Sequence, residues 1–140
     1  MPRRLDLGDD DGCFACGKAN EYGLQLEFEA INGEYVTYFT PQKRHQGYVG
    51  ITHGGLVSTV LDEVMTRYAH SLGHNAVTGE ITVRFKRPAK VGHRLRFVGR
   101  IESENSRMLL MSADATDEDG TQIAEASAKI IKVKGNEVSR

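Results

Sequence analysis

Nine apolar residues between Leu56 and Leu72 fall at positions 56, 57, 60, 61, 64, 65, 68, 69 and 72. That spacing has the period of an α-helix, with an apolar stripe around roughly half the circumference. A stripe so wide suits a helix buried in the concave face of a sheet rather than one lying on a surface. It predicts a helix over 54–72, entered through the Gly54-Gly55 pair and stopped at Gly73. His70 and His74 then sit near the negative end of the helix dipole.

The rest of the chain reads as strand. Residues 22–29 and 34–40 read as a hairpin about Asn32-Gly33, with Leu24, Leu26 and Phe28 alternating before the turn and Val36 and Tyr38 after it. A loop, 41–52, leads to the helix. Further strands are expected over 76–87, 93–104, 107–117 and 121–133, with turns at Arg87–Gly92 and Glu118–Gly120. In the last strand Ala124, Ala126, Ala128 and Ile130 share one face, small enough for a helix to lie close. The order implies an α+β fold: an antiparallel sheet of five to six strands, joined by short turns, wrapped around one long central helix. A single helix cannot cover both faces of such a sheet, so either one face stays wet or an edge pairs with a second copy; a homodimer is expected.

At 140 residues the chain is read as one domain over 13–133, flanked by a loosely ordered polar segment, 1–12, and a polar tail, 134–140. The net charge is −1, and no dense basic cluster supports nucleic-acid binding. Arg84, Lys86, Arg87, Lys90, Arg94 and Arg96 form a local cationic group, large enough for a phosphorylated small molecule. No apolar run long enough to span a membrane exists, and the N-terminus lacks the apolar core of a signal peptide, so a cytoplasmic location is expected.

Two adjacent acids lie on the helix. Glu63 has Arg67 four residues on, the favoured order for a helical ion pair. Asp62 has Ser58, Thr59, Met65 and Thr66 as its helical neighbours, none of them a cation. It stands about 60° beyond the edge of the apolar stripe, at 100° per residue. It reads either as a solvated surface acid or as an acid kept for chemistry. The glycine pair allows close approach and leaves outward N–H groups at a helix start, which suits a developing oxyanion or merely a turn. Cys13-Phe14-Ala15-Cys16-Gly17 carries a Cys-x-x-Cys pair, which serves in redox couples and zinc sites. No second pair exists and the nearest histidine is His45, so a structural turn is the expectation, with neither metal nor cofactor.

These residues resemble the hotdog-fold acyl-CoA thioesterases, close to the phenylacetyl-CoA branch of the 4-hydroxybenzoyl-CoA thioesterase superfamily. The resemblance covers roughly residues 13–133. It is carried by Gln46 through Gly55 with its His53-Gly54-Gly55, by Asp62, by Arg87-Pro88-Ala89-Lys90-Val91-Gly92, and by Cys13–Gly17 with Asn20, Gly23, Leu24, Leu26 and Phe28. Glu21 and Val49 stand where this branch often has proline. The resemblance implies hydrolysis of an aromatic or medium-chain acyl-CoA to free acid and CoA. It implies Asp62 as general base or nucleophile, Gly55 as the carbonyl-polarising amide with Gly54 or Gly50 as helpers, and His53 as a support of the loop or thioester. Gln46 is implied as an assisting loop residue and Thr66 as a group orienting the carboxylate or water. Thr78 would line the site from the dimer mate, Glu63 is the competing acid, and Arg84, Arg87 and Lys90 would meet the CoA phosphates. A homodimer, or a dimer of dimers, would share the cleft. The alternative from another class is a non-catalytic acyl-CoA binding module on the same fold; a hotdog hydratase or dehydratase fits the motif less well.

Overall fold

Asn32 and Gly33 adopt φ of 50° and 76°, the pair of left-handed residues that a two-residue turn between twisted strands requires. They join β1 (Phe28–Ile31) to β2 (Glu34–Phe39), with Ile31 opposite Glu34. A computed structural model describes residues 5–134; most of the tail expected at 134–140 lies outside the described residues. After β2 the chain makes one 3-10 turn, Lys43–His45, and enters helix α1 (Gly54–Ser71). Strands β3 (Ala76–Phe85), β4 (Leu95–Glu104), β5 (Met108–Thr116) and β6 (Gln122–Lys132) follow. All six strands form one sheet in the order β1-β2-β4-β5-β6-β3, every pair antiparallel. The α+β hotdog architecture is thus as expected: one long helix packed against a six-stranded antiparallel sheet.

The helix buries Val57, Val60, Leu61, Val64, Met65, Tyr68 and Ala69. Leu72, counted in the stripe from its spacing, is the C-cap and is 52% exposed. The sheet receives α1 through fully buried Leu95, Phe97, Leu109, Met111 and Ile130, and through the small buried face of Ala124, Ala126 and Ala128. Gly99 marks the closest approach, since a Cβ there would lie 2.8 Å from the Val64 carbonyl oxygen. At the other end Tyr68 stacks on Tyr35, which stacks on Phe28, and the Tyr68 hydroxyl donates to the Gly33 carbonyl at 2.8 Å.

Two expectations about connectivity fail. The first strand starts at Phe28 rather than residue 22. Gln25 takes φ of 50° and breaks the extended run. Leu24 and Leu26 instead donate their amides to the carbonyls of Phe14 and Ala15, at 2.8 and 2.9 Å. Second, residues 86–94 are not a turn between neighbouring strands. β3 lies at the far edge, so this segment crosses past β6 and β5 to reach β4. It is stapled to the loop before α1: Thr52 N–H donates to Ala89 O at 2.7 Å, Val91 N–H to Gly50 O at 3.0 Å and Gly92 N–H to Pro41 O at 2.7 Å. The same stapling builds the surroundings of the helix N-terminus. The N-terminal segment, expected to be loose, lies against α1 from Leu7 to Cys13, and Leu5 N–H donates to Lys134 O at 2.8 Å.

Candidate active site

Asp62 lies at the margin of the buried stripe, half-buried, where α1 faces β3. The Thr78 hydroxyl donates to Asp62 Oδ1 at 2.5 Å. Thr78 was expected to reach the site from a partner; it meets Asp62 within one chain, because β3 runs back alongside the helix. Among the described residues Asp62 forms no ion pair. Burial raises its pKa above the ordinary carboxylate value, and the Thr78 hydrogen bond draws it partway back. The carboxylate opens on a cavity of about 920 Å³ that Glu63, Thr66, Thr78 and the segment from Leu7 to Cys13 also line.

Two neighbours of Asp62 are placed otherwise than expected. The Thr66 hydroxyl donates to the backbone carbonyls of Asp62 and Glu63, at 3.1 and 3.4 Å, rather than to the carboxylate. This bond back along the helix satisfies a hydroxyl inside α1. The Glu63–Arg67 pair does not form. Arg67 turns to Asp9, at 3.8 Å, and Glu63 Oε2 accepts from the Cys13 thiol at 3.5 Å. Burial and the adjacent Glu63 carboxylate push the Cys16 thiol pKa up. Cys13-x-x-Cys16 forms a turn, closed by Gly17 N–H donating to Cys13 O at 2.8 Å. The helical acid it approaches could not be foreseen from spacing.

The helix start is a second centre. His53 is the N-cap of α1, and its Nδ1 accepts the Gly55 N–H at 2.9 Å. Gly55, expected as the free polarising amide, is therefore occupied. Gly50 N–H is likewise taken, by Gln46 Oε1 at 3.2 Å, so Gln46 acts as a tie within the loop. Gly54 N–H has no acceptor among the described residues and lines a cavity of about 660 Å³. The walls there are largely apolar and aromatic, with Tyr48, Ile51, Val57, Phe85, Pro88 and Ile123. Thr52 adds a buried hydroxyl, 4% exposed, that has no hydrogen-bond partner among the described residues.

Of the three cations proposed for phosphates, only Arg87 borders this cavity; Lys86 joins it, paired with Glu125 at 3.3 Å. Arg84 lines a separate recess with Arg100 and Asp114, and Lys90 borders neither cavity. Lys86 was read from the sequence only as part of the cationic group, and Tyr48 and Thr52 only within the Gln46–Gly55 stretch. Phe85 was not singled out as a site residue; its only signal was proximity to the segment that crosses the sheet.

The two centres do not meet within one protomer. Gly54 and Asp62 are eight residues apart on one helix, about 12 Å at 1.5 Å per residue. They open on different cavities.

Comparison with known proteins places this geometry. Residues 49–124 match the family model described as the thioesterase superfamily. The chain is 28% identical over 99 residues to acyl-coenzyme A thioesterase THEM4 of Xenopus laevis, covering 70% of this chain and 45% of that protein. It spans about half the length of the curated relatives it matches. A hypothetical thioesterase from Streptococcus pneumoniae, solved with coenzyme A, has a TM-score of 0.73 at 22% identity, covering 78% of this chain and 86% of that one. The same protein was also solved with alanine in place of an aspartate and, separately, of a threonine. The E. coli PaaI protein of the phenylacetic acid degradation operon has a TM-score of 0.75 at 19% identity, covering 84% and 87% of the two chains. With more than half its length inside the family model, and the helix and sheet of these folds, the chain belongs to the thioesterase superfamily.

Proposed function

We propose that this chain is an acyl-coenzyme A thioester hydrolase that acts as a homodimer. The observation that carries the reading is Asp62: a half-buried carboxylate with no counter-cation among the described residues, bonded by Thr78 and lining a cavity. A carboxylate in that setting is a competent general base or nucleophile. As a base, Asp62 takes a proton from water, the water oxygen bonds to the acyl carbon, and the C–S bond breaks. The proton then passes to the departing CoA thiolate. The developing oxyanion needs a donor, and the free Gly54 N–H at the helix start supplies one. Gly55 would join it only if His53 released its amide.

With Gly54 and Asp62 about 12 Å apart along one helix, this reading has the two act from different chains. The ten residues of β3 at the sheet edge, with Phe85 56% exposed, offer the surface for a second copy. The aromatic and apolar walls beside Gly54 suit an aromatic or medium-chain acyl group, and Arg87 with Lys86 suits the CoA phosphates. One further point supports the pair on α1 and β3. The aspartate and threonine replaced in the S. pneumoniae thioesterase are sixteen positions apart, as are Asp62 and Thr78.

The test is thiol release from a panel of acyl-CoAs by wild type and Asp62→Asn. The substitution should lower turnover by roughly 10²–10⁴-fold, the usual worth of a positioned base. Equal rates would remove Asp62 from the mechanism. CoA binding without turnover by wild type would identify a non-catalytic acyl-CoA binding module instead.

A further inference from the structure

The hydrolytic step proposed for Asp62 uses neither the Cys13–Cys16 turn nor Glu63, yet these are brought together across fifty residues of sequence. The two sulfurs and a Glu63 carboxylate oxygen lie within 4.8 Å of one another. The Cys13 Sγ to Glu63 Oε2 separation is 3.5 Å. A tetrahedral zinc ion with sulfur at about 2.3 Å and oxygen at about 2.0 Å sets its S···O edge at roughly 3.5 Å. The spacing of an ordinary thiol–carboxylate contact is therefore also the spacing of two ligands on one ion.

The turn is built to hold both thiols in place. Gly17 is packed so tightly that a Cβ would lie 2.4 Å from the Asp11 carbonyl oxygen. Asp11 in turn accepts the amides of Lys18, through its side chain at 3.0 Å, and of Ala19, through its carbonyl at 2.9 Å. The third group arrives on the rigid body of α1. Its conventional partner, Arg67, is engaged with Asp9. Cys13 is exposed and borders the Asp62 cavity, which leaves room for water at a fourth position.

We propose that Cys13, Cys16 and Glu63 bind one thiophilic divalent cation of the zinc class, fastening the N-terminal loop to α1 beside Asp62. Two sulfurs and one oxygen select a borderline-soft ion over magnesium or calcium. On binding, the ion replaces the protons of both thiols, which leave to solvent. The proposal does not depend on the hydrolase reading.

The test uses the full chain, stripped with a chelator and kept reduced with a phosphine. It is titrated with Zn²⁺ against a chromophoric chelator and, separately, with Co²⁺. One ion per chain is expected, with a near-ultraviolet thiolate-to-cobalt charge-transfer band and a higher thermal midpoint in zinc. Cys13→Ser combined with Cys16→Ser should abolish the band and zinc retention. Glu63→Gln should weaken zinc binding by at least about tenfold, the lower end of what outer-shell partners alone are worth. A wild-type cobalt spectrum without the thiolate band, or zinc binding no tighter than in the double variant, would overturn the site. Unchanged affinity in Glu63→Gln would overturn the three-ligand assignment. If the serine variants do not fold, the wild-type spectrum and Glu63→Gln decide the question alone.

Discussion

Asp62 depends on one neighbour. Thr78 supplies the only hydrogen bond to its side chain among the described residues, at 2.5 Å. A hydrogen bond to a charged group contributes about 1.5–3 kcal/mol. Thr78→Val should therefore lower kcat/KM by roughly ten- to hundredfold, each tenfold being about 1.4 kcal/mol. Thr78→Ser keeps the hydroxyl and should recover most of that loss. Equal losses in both variants, with unchanged thermal midpoints, would mean that the hydroxyl does not position Asp62. The sequence singles out Asp62 because its helical neighbours include no cation, which is local information, but that spacing leaves a solvated surface acid equally open. The states of Gly55, Gly50 and Glu63 were not visible. Each depends on an acceptor or donor, His53 Nδ1, Gln46 Oε1 or Cys13 Sγ, whose position the folded loops decide.

At the scale of elements, α1 and β4 are held at a distance set by the missing side chain of Gly99. A methyl group there meets the Val64 carbonyl oxygen at 2.8 Å, and backbone does not yield as a flexible side chain would. Gly99→Ala should cost about 1–3 kcal/mol, the usual range for overpacking a filled core. Denaturant unfolding measures it; an unchanged midpoint would show that helix and sheet separate freely. The loop before α1 carries a different sensitivity. Gln42 N–H donates to His45 Nδ1 at 2.9 Å, which a protonated imidazole cannot accept. Burial, then the Arg44 charge, lowers the His45 pKa below its usual 6.5. The unfolded chain thus binds this proton more readily, and stability falls as pH drops below about 6.5. His45→Asn should flatten that part of the stability–pH curve; an identical slope in the variant would assign the dependence elsewhere. Helix α1 and the spans of β2 and β4 to β6 were legible because 3.6- and 2-residue periods are local. The start of β1 was not, because Leu24 and Leu26 alternate as a strand would while pairing with Phe14 and Ala15.

For the whole molecule, periodicity says which residues are strand but not which strand each one joins. The order β4-β5-β6-β3 therefore had to be seen. That order leaves β3 at an open edge with Asp62 behind it, while the helix start lies about two turns before Asp62 on the same helix. If two copies meet in a closed, two-fold dimer, each site combines Gly54 of one chain with Asp62 of the other. This arrangement makes a prediction that no single-chain site shares. Gly54→Val directs its side chain at the Phe85 ring, 3.4 Å from a Cβ at residue 54, and obstructs that cavity. Asp62→Asn disables the other half. Each variant alone should be inactive. Unfolding and refolding an equal mixture makes half of the dimers mixed, and each mixed dimer has one intact site of two. Activity should return to about a quarter of wild type. The readout is thiol release, with sedimentation confirming dimers. A mixture as inactive as its components would mean that no site is assembled between chains.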